Sequence, residues 1–456
     1  MKRGDLVVAE VVAMSPQGEG LAQVEGRTLI VPRAVPGDRV EARVRGKQKG
    51  RLLAMPEQFI ERAVNRQEAP CQHFGRCGGC RWQDLPYADQ LRFKEGLVAG
   101  ALAERDVRVG AYLPALPSPS PFFYRNKMEF SFSTSPEGSL MLGLHVRGRF
   151  DRVFDVEECH LQSALSNRVV GAVRRHAAAL GLPAYDLKTH QGQLRFLVVR
   201  QAVQTGETLV DLVVAQYPNP EVDALIAAVL AEVPEITTFV LTLHGGKAQV
   251  ATGQAQWVVK GRGWIEEVCG GLRFVISPRS FFQTNPLQAE NLYAEACRLG
   301  GDLEGMAVLD LYCGTGSLSL HLARSARSVL GVEVVAESVE DARNNAQCNG
   351  LANCEFVAGT AEEVLPALQR EGKRFDRVFV DPPRAGLHPK VLAALGALRA
   401  PQVVYISCNP LTLADDLGGL ETLGYQVATV QPVDMFPQTP HCEVLAGLVL
   451  AEPAAG

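Results

Sequence analysis

The feature that most constrains this chain is the alternation of short apolar runs with helical stretches over residues 266 to 456. The apolar runs fall at 307–312, 329–333, 354–357, 376–381 and 402–407, and a final strand pair follows. Spacings of this kind suit right-handed crossovers, so the region is expected to be a doubly wound, Rossmann-like domain of parallel character ending in antiparallel strands. Open α/β sheets bind ligands at the carboxyl ends of their strands. Three of these ends carry reactive or ligand-binding residue types. Asp310 opens into Leu311-Tyr312-Cys313-Gly314-Thr315-Gly316, Val380 into Asp381-Pro382-Pro383-Arg384, and Ile406 into Ser407-Cys408-Asn409-Pro410. The Asn-Pro turn holds the Cys408 thiol at its strand tip.

The first turn lacks the third glycine of a dinucleotide fingerprint and follows an acidic residue. Gly314 and Gly316 let the backbone approach a ligand closely, Asp310 can accept a hydrogen bond from an ammonium, and Glu333 at the next strand end can take both ribose hydroxyls. That set suits S-adenosylmethionine, which has no pyrophosphate to cradle. Asp381-Pro382-Pro383 resembles the turn that many methyltransferases place beside the methyl donor. Amino-group methyltransferases follow it with an aromatic residue, and Arg384 in that position argues against N-methylation. A ring carbon such as C5 of uracil needs help instead. A thiolate adding at C6 makes C5 nucleophilic, and a base must later remove the C5 proton so that the thiol can leave. Cys408 fits the first role. Glu443, in His441-Cys442-Glu443, is offered for the second; alone it would read as a surface carboxylate, and its company raises it.

A chain of 456 residues is too long for one core, which implies two or three domains. A net charge of −5 excludes a globally basic nucleic-acid binder, so any such surface must be local. No signal core or membrane-length apolar window is present, and a cytoplasmic protein with no membrane partner is expected. Residues 1–62 read as a small β module. Within it Arg43, Arg45, Lys47, Lys49 and Arg51 recur at every second position and would share one face if the strand continued, either as a solvated edge or as a phosphate-binding face. Residues 63–265 read as a mixed, largely antiparallel sheet with one wet face. Phe122, Phe123, Tyr124, Arg125 and Lys127 interleave aromatic and basic side chains, a pattern that fits both RNA stacking and core packing.

Eleven cysteines in a cytosolic chain argue against disulfides. Cys269, Cys297, Cys348 and Cys354 are scattered and read as small buried hydrophobes. Cys71, Cys77 and Cys80 are clustered and supply three ligands of a four-ligand site. Cys159, flanked by polar residues, is the best fourth, and His73 reads as a loop residue. Four thiolates suit either zinc or an iron–sulfur cluster.

Together these residues resemble the RNA uracil-C5 methyltransferases, in particular the RumA-type 23S rRNA (uracil-5-)-methyltransferases. Ser280 to Asn285, Asp310 to Gly316, Asp381 to Arg384, Ser407 to Pro410 and His441 to Glu443 match that family's signatures in order, and the resemblance spans nearly the whole chain. It implies an OB-like TRAM RNA-binding barrel over 1–62, a central domain with a [4Fe-4S] cluster over 63–265 and a class I methyltransferase domain over 266–456. It implies that Gln283, Tyr312, Glu333 and Asp381 bind donor or substrate, that Cys408 is the nucleophile and Glu443 the base, and that Phe281 stacks on the uracil. The cluster held by Cys71, Cys77, Cys80 and Cys159 would be structural. The expected partner is structured RNA, 23S rRNA ahead of tRNA and not DNA, bound by a monomer that flips its target nucleotide.

Two departures stand out. Asp415-Asp416 replaces the family's Arg-Asp, and Gln438 replaces a His in its Phe-Pro-His-Thr run. A radical-SAM methylthiotransferase would need Cys-x3-Cys-x2-Cys, whereas here the first gap is five residues. Cytosine-C5 enzymes place the nucleophile in a Pro-Cys or Thr-Cys context, which Ser407-Cys408 does not match.

Overall fold

The computed structural model describes residues 1–48 and 50–451. Five strands at the N-terminus, β1 (Leu6–Met14), β2 (Gly20–Val24), β3 (Arg27–Val31), β4 (Arg39–Gln48) and β5 (Arg51–Glu61), close into a barrel in the order β1-β2-β3-β5-β4. Alternation along β4 explains the closure. Val40, Ala42 and Val44 point inward and are buried, while Arg39, Arg45 and Lys47 face solvent. The basic strand does not continue to Arg51. It stops at Gln48, and Gly50, in the left-handed region at φ 80°, helps turn the chain into β5. Arg43 is neutralised by Glu57, which accepts at 2.5 and 2.9 Å. The expected face is thus reduced to Arg45 and Lys47 on β4, with Arg51 on the neighbouring strand. Lys49 lies outside the described residues.

The central sheet has seven strands, and its one parallel pair joins Thr208–Val214 to Thr238–Leu243. Helices Ala164–Ala179 and Pro220–Glu232 pack on one face through Val199, Val210 and Leu212. The opposite face presents Arg200, which donates to Ser280 O at 2.6 Å, and so seats the segment that follows Ile276.

The third sheet has eight strands. Cys354–Ala358, Ser328–Glu333, Ala307–Leu311, Arg377–Val380 and Gln402–Ser407 are parallel in that spatial order, and Glu443–Leu450 and Tyr425–Val433 continue it antiparallel. Strand order reverses at Ala307–Leu311, which opens the ligand crevice there. The sheet does not stop at the final strand pair. β6 (Val109–Tyr112) adds to its edge beside Tyr425–Val433, and α1 (Tyr87–Ala103) packs against helix Pro410–Thr422. The segment 87–112 therefore docks on the C-terminal sheet although it precedes the central one in sequence, because the exposed edge of Tyr425–Val433 offers unpaired backbone groups. Among the described residues no helix is long and apolar enough to cross a membrane.

Candidate active site

The donor-side turn is built from the strand Ala307–Leu311 and the helix Ser317–Ala323. Tyr312 and Gly314 adopt positive φ (64° and 54°), as does Gly316 at 81°. A Cβ on Gly316 would lie 3.1–3.2 Å from Ala342, Leu320 and Phe356, so the turn excludes a side chain where the helix begins. Glu333, ending the next strand, accepts from Gly314 N at 3.1 Å and from Val335 N at 2.9 Å, which fixes its carboxylate beside the glycines. Asp310 is placed differently from the ammonium acceptor expected of it. It is buried beneath the turn, accepts from Ser319 Oγ at 2.5 Å, and burial pushes its carboxyl up to about 7. The segment carrying Gln283 lies across this turn: Phe281 O accepts from Thr315 Oγ1 at 3.3 Å and Gln283 O from Asn126 Nδ2 at 3.1 Å. Phe281 is 65% exposed, whereas Phe282 is buried against Phe274.

At the other end of the crevice, Cys408 follows strand Gln402–Ser407. Asn409 caps helix Pro410–Thr422 by accepting from Leu411 N, and donates from Nδ2 to Arg384 O at 2.9 Å. The thiol's turn and the Asp381-Pro382-Pro383-Arg384 turn are thereby tied together. Strand register supplies the partner. Ser407 pairs with Val444, so the next position sets Cys408 across from Glu443. Asp381 caps the strand between them and the glycine turn, its N–H donating to Leu311 O at 3.3 Å.

Electrostatics link these groups. Burial, then the Glu443 charge, pushes the Cys408 thiol up, and Arg384 opposes this. Burial, then the Asp381 charge, pushes Glu443 well above the carboxylate range, again against Arg384, and burial lifts Asp381 to about 7. A cavity of about 200 Å³ contains Cys408, Arg384 and His441 in its lining. A thiol and a guanidinium that share a cavity, with a carboxyl close enough for its charge to act on the thiol, can add sulfur to an electrophilic ring and take up a proton. Arg384, read in the sequence only as evidence against amino-group chemistry, is the one cation that acts on both Cys408 and Glu443 among the charges that most affect them.

Both departures from the family pattern are accommodated. Asp416 accepts from Tyr405 Oη at 2.5 Å and from Leu387 N at 2.8 Å, while Asp415 pairs with Arg105 of the 104–108 turn. Gln438 is buried and exchanges amide contacts with Gln90 of α1: Gln438 N donates to Gln90 Oε1 at 2.9 Å and Gln90 Nε2 to Gln438 Oε1 at 3.0 Å. Its carbonyl accepts from Arg81 N and Trp82 N, which follow the cysteine loop.

Cys71, Cys77, Cys80 and Cys159 converge on a cavity of about 830 Å³ that Arg125 and Lys127 also line. Burial raises the thiols of Cys77 and Cys159, and that of Cys80 to about 12. Among the described residues no group of three or more His, Cys, Asp or Glu side chains is tight enough for a single metal ion. His73 accepts from Glu157 N through Nε2 at 3.1 Å. The aromatic run divides: Tyr124 is buried with its hydroxyl on Pro437 O, whereas Phe123 is 53% exposed against His160. Of the scattered cysteines Cys269 is buried, but Cys348 is exposed at the end of its helix.

Residues 271–452 match the model of the tRNA (uracil-5-)-methyltransferase family. An uncharacterized RNA methyltransferase of Halalkalibacterium halodurans is 37% identical over 99% of this chain and 98% of its own length. Another, of Nitratidesulfovibrio vulgaris, is 40% identical over 95% of this chain and 94% of its own. The crystal structure of the Pyrococcus abyssi tRNA (uracil-54, C5)-methyltransferase in complex with S-adenosyl-L-homocysteine superposes with a TM-score of 0.77 at 29% identity, covering 97% of this chain and 99% of that one. With the glycine turn, the Asp-Pro-Pro end and the Cys408 strand tip assembled at one crevice, the chain belongs to the RNA uracil-C5 methyltransferases, enzymes that depend on S-adenosylmethionine.

Proposed function

We propose that this protein methylates C5 of a uridine in 23S rRNA, with Cys408 as nucleophile and Glu443 as base. The observation that carries the reading is the register that sets Cys408 opposite Glu443, with Asp381 and Arg384 on the adjoining strand end. Gln283, Tyr312, Gly314, Gly316, Glu333 and Asp381 hold the donor and the target base. The open space at Gly314 and the fixed Glu333 carboxylate fit a nucleoside laid along the strand ends. Bound S-adenosylmethionine supplies an electrophilic methyl group and departs as S-adenosylhomocysteine.

The Cys408 thiol gives its proton to water and its sulfur bonds to C6, and the pair of electrons displaced from the C5–C6 double bond makes C5 an enolate carbon. Arg384 steadies the negative charge as the thiolate forms. C5 then takes the methyl group. Glu443 in its ionised form removes the C5 proton, and the freed pair restores the double bond and expels the thiolate. We assign the exposed Phe281, at the edge of the donor turn, to stack on the uracil.

We assign residues 1–62 as a TRAM RNA-binding unit, 63–265 as a cluster-bearing unit and 266–456 as the methyltransferase unit of a cytoplasmic monomer. The thiols of Cys71, Cys77, Cys80 and Cys159 would hold a [4Fe-4S] cluster. All four donors are soft thiols and line one cavity. Such a group would brace the RNA-facing loops, since the reaction needs no redox step. Protein purified without oxygen is expected to contain iron and acid-labile sulfide in equal amounts, lost in Cys80→Ala; stoichiometric zinc would refute the assignment.

The resemblance of the sequence motifs to the 23S rRNA enzymes favours rRNA, and the Pyrococcus abyssi relative favours tRNA as the second reading. Incubation with methyl donor and 5-fluorouridine-substituted rRNA or tRNA tests both, because fluorine at C5 blocks elimination. A denaturation-resistant adduct on rRNA that is absent in Cys408→Ser is expected. An adduct on tRNA alone transfers the substrate, and no adduct on either refutes the mechanism. Because burial and Glu443 hold the Cys408 thiol above its ordinary value of 9.0, kcat/KM is expected to rise with pH through neutrality and on past 9.0. A bell-shaped profile centred at or below neutrality would contradict it.

A further inference from the structure

The barrel reaches the reaction end of the sheet. The turn between β1 and β2 places Pro16 and Gln17 in the lining of the cavity that holds Cys408. Arg81 fixes it there. Its Nη1 donates to Gln17 O at 2.9 Å while its backbone N–H donates to Gln438 O at 2.8 Å, so one residue joins the barrel turn to the loop leading to Glu443. Gly18 adds a steric lock: a Cβ there would lie 2.9 Å from Pro440 Cβ and 3.1 Å from Trp82 Nε1. The Gln17 side chain itself is exposed.

Behind this turn lies a second cavity, of about 620 Å³, between the barrel and α1. It shares Pro16, Leu97, Ala101 and Leu411 with the Cys408 cavity, so the two adjoin. Gly96 and Gly100 of α1 line it, and a Cβ at either would meet nothing within 4 Å. Arg51 contributes a cation to the same lining, which also holds Glu104 and Arg92, the latter paired with Asp89 at 2.7 Å.

A nucleotide extruded from folded RNA stays joined to its neighbours, so a pocket that admits the base needs an adjoining path for the connected strand. Glycine-lined space admits a base or ribose, and guanidinium groups suit the backbone phosphate. We propose that the groove between the barrel and α1 binds the nucleotide adjoining the target uridine on one side, with the Pro16–Gln17 turn as the wall between the two sites. This rests on uridine chemistry at Cys408, and it adds a role for the barrel within the active site. The Gln17 amide, which both donates and accepts hydrogen bonds, is the side chain placed to contact the entering strand.

Filling the groove tests this. Gly100→Leu puts a side chain into open space and replaces glycine with a better helix former, so folding is preserved. Binding of an RNA carrying the target is measured without methyl donor, alongside a methyl-transfer assay. Gly100→Leu and Gln17→Ala are each expected to raise Kd about tenfold. Gly418→Leu, an equally open helical position outside both cavities, leaves Kd unchanged. Removing nucleotides on one side of the uridine, and not on the other, should abolish the difference between wild type and Gly100→Leu. Equal Kd for wild type and Gly100→Leu, or a penalty that survives both truncations, overturns the groove. Wild-type protein that binds RNA and methylates none overturns the reaction instead, and the binding comparison still decides the groove.

Discussion

Glu443→Gln is expected to turn the enzyme into a trap. Glu443 is 5% exposed and stands across the strand register from Cys408. Glutamine keeps its shape but cannot accept the C5 proton. Addition of sulfur to C6 and methylation of C5 do not need that proton to leave, whereas elimination does. Unmodified RNA should therefore stay bound to Cys408 through a methylated base, visible as a slow-migrating species in a denaturing gel. Methyl incorporation should stop near one per active site, with turnover down by about 10²–10⁴-fold, the usual worth of a positioned base. Cys408→Ser should give neither product nor adduct. If Glu443→Gln releases product at the wild-type rate, another group is the base. Asp381 is the alternative the geometry offers, since its charge acts directly on Glu443.

The elements that sequence reading located are those whose signals are local. The strand tips at Asp310, Asp381 and Cys408 each combine an apolar run with a turn-forming or reactive residue inside about ten positions, and the sheet brings them to one edge. Glu443 was legible only through its neighbours, because a lone carboxylate at a strand start carries no signal; register makes it a partner of Cys408. Features that depend on distant contacts were not legible. Nothing in Val109–Tyr112 announces an edge strand of a sheet formed more than 190 residues later. The barrel turn at Gln17 is held beside Cys408 by Arg81, which also bonds Gln438, a residue 357 positions further along the chain. Asp310 shows the opposite error. A motif-based role aimed its carboxylate at a ligand, but Ser319, one helical turn into the following helix, draws it beneath the turn.

Asp434→Ala is expected to be the most destabilising single change outside the reaction pocket. Lys94 of α1 and Asp434 form an ion pair in which neither side chain is exposed. Lys94 Nζ also donates to Phe436 O at 3.1 Å, and Asp434 accepts from Tyr87 Oη at 2.8 Å and from Phe436 N at 3.2 Å. Removing the carboxylate leaves an ammonium buried without its counter-charge and frees the start of the loop that ends at Glu443. Breaking such a pair by deleting one member costs about 3–5 kcal/mol, read as a lower urea midpoint. Replacing both members, Lys94→Met with Asp434→Leu, removes the charge problem and should restore most of that stability. The double variant separates the two roles of the pair. If the network positions the loop, stability returns while methyl transfer stays depressed, because Phe436 has lost its hydrogen bonds to both members of the pair. If it serves only to fasten α1 to the sheet, stability and activity return together.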